Sequence, residues 1–404
     1  MKKLVILLLT AAASFVGAAN LTLQDVIAVS VGDHPIGDGC PVVAYTNEGQ
    51  DILVAWQDTN GSICGSWGMS GTWTTPTTIL SGPIQNVYPI SVAGNDSGIV
   101  LTYVDSDSTP MSIFYNAASK MWTTPQMIIS TWRVSQDSVS TPVLVIGDSS
   151  KFYVTFAYQH PPGVGVIGYT ASSTGSGSWS GGQLFSQGAY SPTSISGFLP
   201  NAVAVGGAVW ASNGIGYLVF FTDNKVSGRI PLDACKPSSE FSLGINPYDI
   251  RSILYGDSGS LKQINWINNE IITIGSLGNI NKFVPQVAGN KGLKGSVTSW
   301  IDNNGNVQAA VGYPTNNLLS VPWSGPTQLS NLNSSVGNRP LTYFGVTSAI
   351  YNSQCIFAWA SQMEQIYVSQ GSISSTTAST GAPQGLTGST VFNQPTTTGS
   401  QRPG

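Results

Sequence analysis

One pattern recurs seven times along this chain, and it restricts the fold more than any other feature of the sequence. Each unit opens at a proline, continues as a short apolar strand, turns at Gly, Asn or Asp, and enters a second strand ending on an aromatic residue, usually followed by x-Asp. The openings are Pro41, Pro89, Pro142, Pro200, Pro247, Pro285 and Pro340. The matching ends are Trp56-Gln57-Asp58, Tyr103-Val104-Asp105, Tyr158, Phe221-Thr222-Asp223, Trp266-Ile267-Asn268, Trp300-Ile301-Asp302 and Trp359. Successive prolines lie 38 to 58 residues apart, enough for four short strands and their turns.

A third strand follows each aromatic end, as in SICGSW, MSIFYN, GVIGYT and VQAAVGY, with VSGRI, EIITIG and QIYVSQ in units four, five and seven. A fourth is marked by Trp and then Pro, as in Trp73-Thr74-Thr75-Pro76, Trp122-Thr123-Thr124-Pro125 and Trp323-Ser324-Gly325-Pro326. Unit seven stops after its third strand near Val368, and the segment Val26 to Val31 ahead of unit one supplies the missing fourth. Such closure removes the exposed edges that invite aggregation. The expected fold is therefore all-β: a seven-bladed β-propeller of four-stranded antiparallel blades, its last blade closed by an N-terminal strand. The 38-residue interval between Pro247 and Pro285 is short and leaves six blades open as an alternative. Proline at a strand entry forfeits no ladder hydrogen bond, and the recurrent aromatics are expected to pack between neighbouring blades as core.

Lys2 and Lys3, an apolar run from Leu4 to Val16 and the small residues Gly17-Ala18-Ala19 read as a secretory signal over residues 1–19. The run is too short to span a bilayer and no second long apolar stretch follows, so export without a transmembrane segment is expected. The destination is the exterior, periplasm or cell surface, and the Met-Lys-Lys start has a bacterial look. The blades fill residues 20–370, and the Ser/Thr/Gly/Pro-rich stretch 371–404 has no apolar face with which to order itself.

Charged residues make up only 8% of the chain, against about 25% in ordinary globular proteins, so Ser, Thr, Asn, Gln and Gly must build the surface. With a net charge of −4 and no basic run, nucleic acid is excluded as a partner. The cysteines are Cys40, Cys64, Cys235 and Cys355. Export permits disulfides in any of three complete pairings, but Cys64 and Cys355 lie in strand-like runs equally suited to buried free thiols. No CxxC spacing or Cys/His cluster suggests zinc, and neither a metal nor a cofactor is expected.

The segment VAWQDTNGSICGSWGMSGTWTTPTTIL resembles the repeats of the sialidase-like, Asp-box (BNR) β-propellers, whose hairpin carries Ser-x-Asp-x-Gly-x-Thr-Trp followed by Ser/Thr-x-Pro. Ser66, Thr72 and Trp73 match that motif, while Gly68 and Ser70 replace its Asp and Gly. Unit three repeats the pattern with Ser172, Ser178 and Trp179, with Thr174 in place of Asp, and unit two keeps only Trp122. The resemblance implies a propeller. Active members would add an arginine triad for a substrate carboxylate, a catalytic Asp and a Tyr–Glu pair. The blades hold only Arg133, Arg229, Arg251 and Arg339, and Arg229-Ile230-Pro231 sits in the wrong unit for the family's Arg-Ile-Pro motif. Arg133, Arg251 and Arg339 are the candidates for convergence on a central channel, where guanidinium groups would hold a carboxylate bidentately.

The remaining chemistry is sparse. His34 and His160 each precede proline and read as turn residues rather than catalytic bases. Asp105-Ser106-Asp107 and Asp302-Asn303-Asn304-Gly305 carry oxygen ligands at calcium-like spacing, yet strong hairpin-turn chemistry explains them. Trp67, Trp132 and Trp210 fall outside the blade-core pattern and offer loop aromatics that can cover the apolar face of a sugar, or pack beneath loops instead. The expectation is a secreted, non-catalytic binding module for glycan or a cell-surface protein. The alternatives are a divergent sialidase-type glycoside hydrolase and a structural or surface-assembly protein.

Overall fold

The computed structural model describes residues 19–37, 40–46, 48–69, 72–82, 90–128, 143–147, 152–159, 165–172, 179, 183–188, 194–198, 206–212, 215–222, 225–226, 230–232, 243–245, 252–265, 269–276, 286–289, 296–302, 304–312, 323–331, 346–360 and 365–375. The expected signal at 1–18 and the tail beyond 375 lie outside them. Every regular element among the described residues is a β-strand, and the strands form seven antiparallel sheets. No helix among these residues is long and apolar enough to cross a membrane.

The first sheet sets the pattern. Val42–Thr46 pairs with Asp51–Gln57, which pairs with Ile63–Met69, and the outer edge is a broken strand, Thr72–Trp73 then Thr77–Leu80. The break falls at Thr74-Thr75-Pro76, where proline has no N–H to give the ladder. The second sheet repeats this arrangement, its edge split into Met121–Trp122 and Gln126–Met127 around Thr123-Thr124-Pro125. Both second strands, Asp51–Gln57 and Gly98–Val104, are buried at every position. A strand hidden on both faces needs a neighbouring sheet on each side.

Those neighbours follow one another around a ring. The inner strands Val42–Thr46, Ser91–Asn95, Val143–Gly147, Ser194–Phe198, Leu243–Ile245, Gln286–Gly289 and Val346–Tyr351 lie each against the next, and the seventh lies against the first. Thr46 Oγ1 donates to Asn95 O at 2.8 Å, and Thr347 Oγ1 donates to Pro41 O at 2.9 Å. The approach is tight enough that a Cβ on Gly94 would fall 1.8 Å from Tyr45 O.

The recurrent aromatics whose burial is described, Trp56, Tyr103, Trp300 and Trp359, are core, as expected. Trp56, Trp300 and Trp359 are among the largest fully buried side chains. Trp56 packs with Ile356, Ala358 and Val368 of the seventh sheet, whereas Tyr103 packs with Val42, Ala44 and Leu53 of the first. Both rings thus face the sheet before their own. Trp300 Nε1 donates to Ser276 O at the end of the fifth sheet's outer strand, and Trp56 Nε1 to His34 O just past the closing strand, both buried donors meeting a backbone acceptor. The edge tryptophans also reach backward: Trp179 Nε1 donates to Ser112 Oγ of the second sheet, and Trp323 Nε1 to Gln263 Oε1 of the fifth.

The seventh sheet is completed from the other end of the chain. Ala19–Val29 pairs antiparallel with Ile366–Ser375, from Ala19 opposite Ser375 to Val29 opposite Ile366, with a bulge between Leu23 and Val26. The closing strand starts earlier than the expected Val26, and its partner runs on past Gly371, where the composition changes.

Two units differ from their expected register. In the fourth sheet Pro200 follows the inner strand, and Ile215–Thr222, read as a second strand, is the third. In the fifth sheet Pro247 likewise follows Leu243–Ile245, and Ser260–Asn265, leading to Trp266, is the third strand. The segments VSGRI and EIITIG accordingly contribute to outer strands. The short 38-residue proline interval comes from this displaced marker, not from a shortened sheet.

Gly94→Ala should cost about 3 kcal/mol or more in chemical denaturation, because backbone must move to admit the new carbon. Gly82→Ala, with nothing within 4 Å of the added Cβ but a φ of +114°, should cost only the smaller backbone penalty.

Candidate functional site

Of the residues singled out from sequence, Arg133, Arg251, Arg339 and Trp132 lie outside the described residues, as do His160 and Arg229. Trp210 sits on the second strand of the fourth sheet, paired with Ile195 and Tyr217. Trp67 sits on the third strand of the first sheet, opposite Leu53. Neither is the loop aromatic that the sequence suggested. For Trp210 the cause is the displaced marker at Pro200, and for Trp67 it is that the third strand carries an extra ring beyond the repeated aromatic of the second.

Trp67 belongs to a cluster at the junction of the first and second sheets. Its ring lies 4.4 Å from that of Tyr115, which lies 5.3 Å from that of Trp122, the planes tilted by 38° and 54°. Tyr115 is buried, and Trp67 and Trp122 are half-buried. Burial, with the nearby Asp51 carboxylate, pushes the Tyr115 hydroxyl above its usual range, so it stays protonated and able to donate. Thr74 and Thr123 border the cluster and hold its backbone: Trp67 N donates to Thr74 Oγ1 and Phe114 N to Thr123 Oγ1. Met121 and Met127 on the same outer edge are 66% and 47% exposed. The arrangement offers aromatic and thioether surface bordered by uncharged polar groups.

A second cluster grows from the aspartates that end the second strands. Asp58 Oδ1 accepts from Asn60 N and Ser62 N, Asp105 Oδ1 from Asp107 N and Thr109 N, and Asp302 Oδ1 from Asn304 N and Asn306 N. Each carboxylate thus caps the turn into the third strand by bonding the amides two and four residues on, the turn expected at Asp105 and Asp302 and found also at Asp58. The second oxygens differ. Asp302 Oδ2 accepts from Gln308 Nε2 at 2.8 Å and Asn306 Nδ2 at 3.2 Å. Burial alone would raise the Asp302 carboxyl, but these four bonds hold it below its usual range.

Asp58 Oδ2 instead faces Cys64 Sγ at 3.7 Å and His34 Nδ1 at 3.5 Å. Asp58 and Cys64 are buried, and the His34 side chain keeps 27% of its surface exposed. The three ligand atoms lie within 4.8 Å of one another. The Cys64 thiol is pushed up to about 12 by burial and then by the Asp58 charge, so without a cation it stays protonated. Cys64 and Cys355 both carry free thiols, in line with their strand positions. The histidine sits 24 residues before the aspartate and belongs to the closing connection, so only the ring closure brings it here.

Fold and clusters together define an all-β protein whose antiparallel sheets follow a ring, with chemistry gathered where one sheet meets the next. No protein-family model and no curated protein sequence matches the chain. Among solved structures it is similar to the fucose-specific lectin from Aleuria aurantia, a six-bladed β-propeller. The TM-score is 0.49 at 13% identity, over 84% of this chain and 96% of that one. It is also similar to AofleA from Arthrobotrys oligospora (TM-score 0.47, 10% identity, 89% and 90% covered). A third likeness is to a subtype N11 neuraminidase-like protein of A/flat-faced bat/Peru/033/2010 (TM-score 0.45, 9% identity, 88% and 96% covered). Likeness at this level assigns neither a ligand nor a residue role.

The Asp302 geometry has a measurable consequence. A carboxyl whose folded pKa is lowered contributes stability above its ordinary value of 3.8 and loses it as pH falls through the folded value. Asp302→Asn should lower stability at neutral pH by about 1–3 kcal/mol, because an amide NH₂ then confronts the Gln308 donor. It should also flatten the loss of stability below pH 3.8, as read by denaturation across a pH series.

Proposed function

We propose that this protein is a secreted, non-catalytic binding module, its seven sheets the blades of one β-propeller, and that its ligand is a glycan, free or carried on a cell-surface protein. The observation that carries the reading is the cluster of Trp67, Tyr115 and Trp122 at the first junction. Sugars present apolar C–H faces rimmed by hydroxyls, and half-buried indoles beside threonine and a protonated tyrosine complement both. A surface poor in charge and rich in uncharged polar groups also suits a neutral ligand. The ring of inner strands, the backward-facing tryptophans and the N-terminal closing strand support the propeller. The Lys2-Lys3 start with its apolar run supports export.

Purified mature protein on a glycan array should retain a defined set of glycans, and Trp122→Ala should weaken retention by about tenfold or more, a loss of ~1.4 kcal/mol, while circular dichroism stays unchanged. A sialoside turnover assay on the same sample should be silent. Turnover would overturn the non-catalytic reading, and array silence would overturn the glycan reading.

A further inference from the structure

The three aspartate turns provide an internal comparison. They share one geometry at Oδ1, so what surrounds Oδ2 shows what each carboxylate does beyond capping its turn. Around Asp302 that oxygen is satisfied by two amide donors. The residue six positions after each aspartate is Gln308 in the sixth sheet, Met111 in the second and Cys64 in the first. In the first sheet a further group arrives from outside the turn and its strand, His34 of the closing connection.

The His34 contact at Asp58 Oδ2 is long for a shared proton. N–H···O bonds cluster near 2.9–3.0 Å, whereas His34 Nδ1 stands at 3.5 Å; Cys64 Sγ, at 3.7 Å, donates an S–H···O bond to the same oxygen. Both separations also fit the edges of a tetrahedron around one ion. With Zn–N and Zn–O bonds of about 2.0–2.1 Å and Zn–S of about 2.3 Å, neighbouring ligands stand roughly 3.3–3.8 Å apart. We propose that His34 Nδ1, Asp58 Oδ2 and Cys64 Sγ form a binding site for a zinc-class divalent transition ion, with the fourth position left to water.

The chemistry of the donors selects the ion. One imidazole, one carboxylate and one thiol suit a borderline ion such as Zn²⁺ or Co²⁺, while Ca²⁺ and Mg²⁺ ask for a shell of oxygens. Binding displaces the thiol proton to solvent. The sulfur then gives the metal its lone pair, and nothing is oxidised or reduced. His34 coordinates through Nδ1 and keeps its proton on Nε2, on the part-exposed side chain.

The scaffold is already in place. His34 N donates to Val31 O at 2.9 Å, and His34 O accepts from Trp56 Nε1 at 2.9 Å, fixing that backbone at both ends. Beyond it, Gly37 N donates to Gln57 O, Thr59 N donates to Pro35 O, and Ile36 bridges Asp58. A Cβ on Gly37 would fall 2.9 Å from Asp58 O, so glycine is what lets the segment lie this close. Asp58 Oδ1 is locked by two amides, which aims Oδ2 at the other ligands. The ligands come from the closing connection, the residue that follows one strand and the start of the next. A bound ion would therefore rivet the N-terminal strand to the first sheet.

The test uses the full mature chain, stripped with a chelator and titrated with Co²⁺ as a spectroscopic probe. Expected are one Co²⁺ per chain, the intense visible bands of tetrahedral cobalt and a thiolate-to-cobalt charge-transfer band, all displaced by Zn²⁺. Zn²⁺ alone should raise the melting temperature. Cys64→Ser should abolish the charge-transfer band, and Cys355→Ser should leave it intact. His34→Ala, at a part-exposed position that tolerates truncation, should weaken Zn²⁺ by at least the ~10-fold that losing even an outer ligand partner costs. Asp302→Asn should leave the affinity unchanged. No charge-transfer band, a band that survives Cys64→Ser, or an affinity indifferent to His34→Ala would each overturn the proposal.

Discussion

A β-strand buried on both faces cannot serve a sheet that stands alone, and most of this structure follows from that constraint. Asp51–Gln57, Gly98–Val104 and nearly all of Gln354–Ala360 are hidden from water on either side. With roughly 25 cal/mol recovered per Å² of apolar surface removed from water, each sheet is stabilised chiefly by its two neighbours. An open row would leave a bare face at each end, whereas a ring leaves none. The backward-facing aromatics give the ring its sense: Tyr103 and Trp300 meet the sheet before their own, and Trp56, whose predecessor is the seventh sheet, joins the end of the chain to its beginning.

How much of this was legible in the sequence varies along the chain. Where proline immediately precedes an inner strand, as at Pro41, Pro142 and Pro285, the strands fell where the pattern placed them. Where proline follows the inner strand, as at Pro200 and Pro247, the reading slipped by one strand. Proline fixes φ and removes a donor, and both the entry and the exit of a short strand accept that, so it marks a boundary without saying which side is strand. Closure by the N-terminal segment was readable because unit seven lacked a fourth strand, a shortage that could be counted.

The sites were less readable for a different reason. Asp105 and Asp302 announced themselves as turn residues through their local spacing, and Asp58 makes the same cap, since an Asx turn is a matter of four or five residues. The meeting of His34 with Asp58 and Cys64 has no local signature. His34-Pro35 reads as an ordinary turn, and only the return of the chain's beginning to the first sheet brings it within reach of the other two. A signal was nevertheless present: the position six residues after the aspartate holds a glutamine amide in one sheet and a thiol in another, a change of donor that a turn alone does not require. The aromatic junction was hidden likewise, because Trp67, Tyr115 and Trp122 meet across two sheets.

The closing pair has a mechanical side. Ala19 lies opposite Ser375, so the chain enters and leaves the seventh sheet at the same end of one antiparallel ladder. A pull that separates the chain ahead of Ala19 from the chain beyond Ser375 would therefore load the hydrogen bonds one at a time, as a zipper opens, rather than all together in shear. The contact that completes the ring is also the one that tension between the two ends of the chain would open first, and an attachment at either end would hold the molecule by the same corner.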